Sequence, residues 1–268
     1  MEIQMIDIKD IRVTFAKGTP VENPALCGLS IYINEGEFVT VIGSNGAGKS
    51  TLLNSISGEI SVDSGEIYLG DQCVTGHSTR RRARDVARVF QDPMAGTCEN
   101  LSIEENLALA MKRGGGRGLG WAVRREYRQR FVQRLKRLGL GLELRLEDRM
   151  GLLSGGQRQA VSLLMATLQP MQILLLDEHT AALDPKTGAF VLELTREIIK
   201  EQNLTALMVT HSMKQALEVG QRTLMLHGGR VAFDVAGADR EGLEVKDLLA
   251  LFERSEGEQL ADDSLLLS

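Results

Sequence analysis

Phe38-Val39-Thr40-Val41-Ile42 runs straight into Gly43-Ser44-Asn45-Gly46-Ala47-Gly48-Lys49-Ser50-Thr51, and this stretch decides the fold. The first five residues are apolar and β-branched and read as a buried strand. Gly43 to Ser50 fit G-x-x-x-x-G-K-[ST] in full. Thr51-Leu-Leu-Asn-Ser-Ile56 continues as a helix with Leu52, Leu53 and Ile56 on one face. A glycine-rich loop between a strand and a helix lets backbone N–H groups and the positive end of the helix dipole face phosphate oxygens. Lys49 can bridge the β- and γ-phosphates, Ser50 can ligate Mg²⁺, and Thr51 can add a hydroxyl or an amide. The motif therefore implies a bound nucleoside triphosphate.

On the N-terminal side, Ile6, Ile8, Ile11, Val13 and Phe15 alternate as one or two strands. A loop from Lys17 to Pro24 follows, then a second alternating stretch at Leu29, Ile31 and Ile33. On the C-terminal side, strands are expected at Gly65–Gly70 and Val86–Phe90, and again at Ile173–Leu176, Ala206–Val209 and Thr223–Leu226. From about Ser102 to Leu153 the character turns helical, with a glycine-rich hinge at Gly114–Gly120 and a basic helix from about Ala122 to Leu138. Further helices are expected after Gly156 and over Thr187–Glu201. Strands alternating with helices argue for a parallel sheet. The expected fold class is α/β: a P-loop NTPase core with a mainly parallel sheet, an N-terminal antiparallel β subdomain and an inserted α-helical subdomain. The expected division is an ATPase domain over residues 1–243, with the helical subdomain inserted at about 95–160, and a C-terminal helix and acidic tail over 244–268.

Several single residues acquire meaning from their place at strand ends. Ile173-Leu-Leu-Leu-Asp177-Glu178 is an apolar strand ending in two acids, and strand C-termini line the ligand crevice of an open α/β sheet. Asp177 can hold Mg²⁺, and Glu178 can act as general base on a water. Gln91 ends the strand Val86–Phe90, where a carboxamide can touch both metal and water. His211 follows Ala206–Val209 and can donate to a γ-phosphate. Phe15 can stack on a base or sit in the core. Farther along lies Leu153-Ser154-Gly155-Gly156-Gln157. Beside the phosphate-binding loop, this run suggests half of an ATP site whose other half comes from a partner.

Taken together, these pieces resemble the ATP-binding cassette (ABC) family over almost the whole chain and in the family's order. Phe15 corresponds to its aromatic loop, Gly43–Ser50 to Walker A, Gln91 to the Q-loop, Leu153–Gln157 to the LSGGQ signature, Ile173–Asp177 to Walker B, Glu178 to the catalytic acid, Ala182–Pro185 to the D-loop and His211 to the switch histidine. The resemblance implies ATP and Mg²⁺ as cofactors and a head-to-tail homodimer, each ATP lying between Walker A of one subunit and LSGGQ of the other. Ser154 and the amides of Gly155 and Gly156 open a helix, so they can bring donors and a positive dipole end to a γ-phosphate in trans. Gln157 completes the signature, and Asp184 would couple the two sites. The resemblance further implies integral membrane permease subunits and a separate substrate-binding protein, at the cytoplasmic face of the inner membrane. His179 departs from the family's usual proline, and Asp177–Asp184 (Asp-Glu-His-Thr-Ala-Ala-Leu-Asp) recurs in a branch of importer ATPases linked to hydrophobic or aromatic amino acids. His179 is read as a local structural variant. The alternative reading is a soluble ABC ATPase of a non-transport system, such as an iron–sulfur assembly scaffold.

Composition sets outer bounds. The 268 residues carry a net charge of −5 with 43% hydrophobic residues, ordinary for a globular protein. Cys27, Cys73 and Cys98 stand in no ligand spacing, which argues against a disulfide frame or a zinc site. The opening MEIQMIDIKD lacks an apolar core, so no signal peptide is expected, and no apolar run is long enough to span a bilayer. Arg80 to Arg137 hold 15 basic and 6 acidic residues, a net of +9 within an acidic chain. That flank is either a solvated, salt-bridged helical face or a surface near anionic lipid or an acidic partner. Few aromatics and an acidic total argue against nucleic acid.

Overall fold

Ile6, Ile8, Ile11 and Val13 share the buried face of one twelve-residue strand, β1 (Gln4–Phe15). Two short strands were an open alternative. A bulge resolves the question: Asp10 takes a φ of +48°, and the pairing with the next strand shifts between Ile8 and Ile11. One extra residue thus keeps the apolar set facing inward on both sides of the kink.

A computed structural model describes residues 4–115 and 125–256. After β1 come β2 (Asn23–Asn34), β3 (Phe38–Gly43), α1 (Lys49–Ser57), β4 (Ser64–Leu69), β5 (Gln72–Cys73), α2 (Thr79–Arg82) and β6 (Val86–Val89). Then follow α3 (Ile103–Ala110), α4 (Arg125–Lys136), α5 (Gly155–Ala166), β7 (Ile173–Asp177), α6 (Pro185–Gln202), β8 (Ala206–Val209), α7 (Met213–Val219), β9 (Arg222–His227), β10 (Arg230–Ala236) and α8 (Val245–Glu256). Part of the expected hinge (residues 116–120), the expected start of the basic helix (122–124) and the acidic tail from 257 lie outside the described residues. The chain divides into two compact units, Met1–Arg82 with Asn203–Ser268, and Ala83–Gln202.

In the first unit, β2-β1-β4-β5 form an antiparallel sheet. A second sheet centres on β3, which pairs in parallel with both β8 and β9, while β10 returns antiparallel to β9. All six residues of β3 are buried, as a central strand covered on both faces requires. Its last apolar residue, Ile42, packs with Met213, Met225, Leu248 and Phe252, so α8 closes the core beneath the glycine loop. α1 ends at Gly58, whose φ of +77° lets the cap form. There the buried Arg82 donates to the carbonyls of Ser55 (2.6 Å), Ile56 (3.0 Å), Thr75 (2.8 Å) and His77 (3.1 Å). A cation on those carbonyls offsets the negative end of the α1 dipole.

In the second unit, β6 and β7 pair in parallel. α3 opens with a full capping box between Ser102 and Glu105. α4 buries Phe131 and Leu135, two residues of the apolar side expected for it. Two cations of this stretch are paired. Arg128 meets Glu104 at 2.9 Å and Glu147 at 2.7 Å, and Arg137 pairs with Glu201. Within the flank, Arg88, Arg128 and Arg137 sit in ion pairs, so the salt-bridged reading holds for these residues and both readings of the flank stand. No helix among the described residues is long and apolar enough to cross a membrane.

Candidate functional site

The expected site residues fall into two sets, one in each unit. The first set is Phe15, Gly43–Thr51 and His211. Gly43 and Gly48 are backbone necessities. Gly43 has a φ of +150°, and a Cβ there would lie 2.3 Å from the Leu226 carbonyl oxygen. Gly48 has a φ of +100°, and its Cβ would lie 2.6 Å from the Ala25 carbonyl oxygen. The loop is thus pressed between the β9 end and β2, where side chains do not fit. Gly48 is also the N-cap of α1, and no side chain caps that helix. The first-turn amides of a helix lack intrahelical acceptors. Here they open onto exposed Asn45, Gly46 and Ser50. That is the chemistry of an anion site.

Lys49 is buried, and its Nζ donates to the carbonyls of Gly43 at 2.6 Å and Ser44 at 2.9 Å. The loop therefore wraps the lysine and holds its ammonium among the backbone groups of the motif. Ala47 is buried and half-buried Ser44 accepts its amide at 3.2 Å, closing the turn. Thr51 is half-buried one residue into the helix from exposed Ser50. Register brings His211 to the same sheet end. Val41 pairs with Val209 in parallel, so Gly43 and His211 each stand two residues beyond that pair. Phe15 ends β1 with 41% of its surface exposed, so of the two readings for it the core position is excluded.

The second set is Gln91, Ser154–Gln157, Asp177, Glu178 and Asp184. Parallel register again aligns two members: Val89 pairs with Leu176, so Gln91 and Glu178 each lie two residues beyond it. Asp177 ends β7, and its Oδ2 accepts from Arg88 Nη2 on β6 at 2.5 Å. Glu178 has a φ of +44°, rare for a residue with a Cβ. His179, next in line, is fully buried, and burial pushes its imidazole down to about 4.

Ser154 is the N-cap of α5 in a capping box: its Oγ accepts from Gln157 N at 3.3 Å, and Gln157 Oε1 accepts from Ser154 N at 3.2 Å. Ser154 and Gly155 are exposed. Gly156 differs. It is buried, and a Cβ there would come within 2.0 Å of Thr187 Cγ2. Its glycine serves the close approach of α5 to α6. Asp184 is exposed and caps α6, accepting from Thr187 N at 3.1 Å, and the hydrogen bonds from Thr187 hold its carboxyl below the usual range.

Four residues escaped the sequence reading. Arg88 pairs with Asp177, and its signal was a lone charge inside the apolar strand Val86–Val89. Gln159 is fully buried on α5 and donates to the Phe90 carbonyl at 3.0 Å, tying the signature helix to the residue before Gln91. Arg158 donates to the carbonyls of Met150 (3.2 Å), Gly151 (3.1 Å) and Leu153 (3.1 Å), clamping the loop ahead of Ser154. Thr195 Oγ1 is hydrogen-bonded to His179 Nε2 at 2.9 Å. The last three left no sequence signal, because their partners are backbone atoms or a residue distant in the chain. Among the described residues no cluster of three or more His, Cys, Asp or Glu could hold a metal alone. The candidate metal ligands Ser50, Gln91 and Asp177 are oxygen donors, the set a Mg²⁺ shared with phosphate takes.

Known proteins resemble the chain in sequence and fold. The family model described as ABC transporter matches residues 26–181. The chain is 45% identical to a tyrosine transport ATP-binding protein of Clostridioides difficile, over 93% of this chain and 99% of that one. It is 35% identical to a methionine import ATP-binding protein of Clostridium tetani, over 95% of this chain and 73% of that one. Among solved structures, a dimeric post-hydrolysis state of an ATP-binding cassette bound to ADP and Pi superposes with a TM-score of 0.74 at 31% identity, covering 87% of this chain and 98% of that one.

Proposed function

The chain belongs to the ABC transporter family as an ATP-binding, ATP-hydrolysing subunit, and from that premise we propose that it powers a separate membrane permease importing small solutes such as amino acids. Two identical subunits bind ATP head to tail. Lys49 and the amides of Gly43–Thr51 hold the phosphates of one ATP. Ser154 and Gly155 of the second subunit bring their donors to its γ-phosphate. Glu178 takes the proton of the attacking water, and His211 and Gln91 orient the reacting groups. Phe15 stacks on the adenine. Ser50, Gln91 and Asp177 would hold Mg²⁺, which would supply charge neutralisation on the phosphates. Asp184 lies near the neighbouring subunit. ATP then closes the dimer and hydrolysis loosens it, a ligand-driven population shift that the permease reads. The working place is the cytoplasmic face of the inner membrane, and a separate binding protein delivers the solute.

One observation carries this reading. Two helix N-termini differ in kind: α1 has no side-chain cap, and α5 is capped by an exposed serine. One suits the phosphates of a bound nucleotide and the other a phosphate arriving from outside. The relatives named for tyrosine transport and methionine import support the amino-acid leaning.

The test is complementation. Lys49→Ala subunits and Ser154→Arg subunits are each expected to be inactive, and mixing them should restore one intact composite site per heterodimer. A mixture no more active than either parent rejects sharing in trans. Recovery of the wild-type chain from membranes without any multi-span protein rejects the permease partnership.

A further inference from the structure

Glu178 holds a left-handed backbone, with φ at +44°. For a residue with a Cβ this is strained and persists only where the surroundings over-determine it. The constraints are visible on both sides. Before it, Leu176 is locked in the β6–β7 ladder opposite Val89. After it, the Glu178 carbonyl accepts from Ala181 N at 2.9 Å, and His179 sits with 1% of its surface exposed.

The His179 ring is tied to α6. Its Nε2 lies 2.9 Å from Thr195 Oγ1, and Thr195 Oγ1 donates to the Val191 carbonyl at 2.7 Å. Thr195 is itself fully buried. A threonine hydroxyl has one proton. With that proton on the Val191 carbonyl, the contact with His179 uses an imidazole N–H. His179 then carries its proton on Nε2, and the chain runs in one direction: His179 Nε2–H to Thr195 Oγ1–H to the Val191 carbonyl.

We propose that this His179–Thr195–Val191 chain anchors the peptide after Glu178 to α6, so that His179 and Thr195 are positioning residues that keep the Glu178 carboxylate at its working place. The inference rests on the reading of Glu178 as general base. Without the anchor, the strained φ relaxes toward negative values and swings the carboxylate away. Misplacement of a reacting group by about 1 Å can cost about 10²-fold in rate. Neither side chain touches substrate, and no proton passes between them and the reacting atoms.

The test uses the full-length chain, with kcat and KM for ATP measured separately and ATP affinity read by displacement of a fluorescent nucleotide. Thr195→Val keeps the shape and removes the acceptor. It should lower kcat about tenfold or more, with KM and ATP affinity within about twofold of the parent. His179→Leu should behave alike. Thr195→Ser keeps the hydroxyl, and His179→Gln keeps an N–H donor, so both should retain most of the parental kcat. A kcat within about twofold of the parent in both Thr195→Val and His179→Leu overturns the proposal. So does an equal loss in His179→Gln and His179→Leu. The ¹⁵N shifts of His179 in the parent protein need no variant: a protonated Nε2 and a bare Nδ1 are expected, and the opposite tautomer overturns the chain. Glu178→Gln, assayed alongside, separates the two layers. Normal turnover there removes Glu178 as the base, whereas an inactive Glu178→Gln beside a fully active Thr195→Val removes only the anchor.

Discussion

Arg88 on β6 donates through Nη2 to Asp177 Oδ2 on the adjacent β7 at 2.5 Å, with only 10% and 14% of the two side chains exposed. Its guanidinium also lies 4.7 Å from the centre of the Phe90 ring. The acid proposed for the metal is thus already engaged with a fixed cation. Removing one partner of a largely buried pair leaves an uncompensated charge, at a cost of about 3 kcal/mol. Arg88→Met and Asp177→Leu should each lose about that much stability to urea, and the double variant should lose less than the sum. Strict additivity of the two losses shows that the pair is not coupled.

His179 gives stability a pH dependence of known sign. Its folded-state value is pushed down to about 4 from 6.5 by burial. Above the unfolded value both states hold the ring neutral and its contribution is complete. As pH falls below 6.5, the unfolded chain takes up the proton first, so stability is lost down to about pH 4. The total is of order 3 kcal/mol. Urea unfolding of the parent and of His179→Gln at about pH 7 and pH 5 reads this, and the variant should show the shallower fall. Identical slopes count against it.

Gly156 and Thr187 define how closely α5 and α6 approach. A Cβ at Gly156 would overlap Thr187 Cγ2, at 2.0 Å. Gly156→Ala is expected to cost about 1–3 kcal/mol through overpacking. Adding Thr187→Ser removes the clashing methyl and should return most of it. Thermal unfolding of the single and double variants decides, since a loss that Thr187→Ser leaves untouched has another origin.

Arg82 places a buried cation on four backbone carbonyls at the far end of the phosphate-loop helix. Burial lowers its guanidinium pKa, yet it stays charged. Arg82→Met leaves those carbonyls without their donor and should cost about 3 kcal/mol or more. Arg82→Lys should not rescue it, because a point ammonium cannot reach all four carbonyls. A lysine variant with the parental melting temperature shows that charge alone suffices.

The sequence by itself determined the nucleotide loop, the order of the motifs and the family. These are local: Gly43–Thr51 is strand, turn and helix in consecutive residues, and Ile173–Glu178 is a buried run ending in acids. Periodicity likewise located most strands and helices. It missed the short α2, β5 and α7, and β10, where Val231, Phe233 and Val235 alternate but three of the seven residues are exposed. Only the tertiary structure decided what each residue is held by. Parallel register set His211 level with Gly43 and Gln91 level with Glu178, and register depends on pairing between segments far apart in the chain. Gly156, grouped with the phosphate donors by its motif, also lies against Thr187 on another helix, where a Cβ does not fit. Arg88, Gln159 and Thr195 acquired their roles only from packing. A hydrogen bond or a close contact is a property of two positions in space, and one-dimensional spacing carries no record of the second.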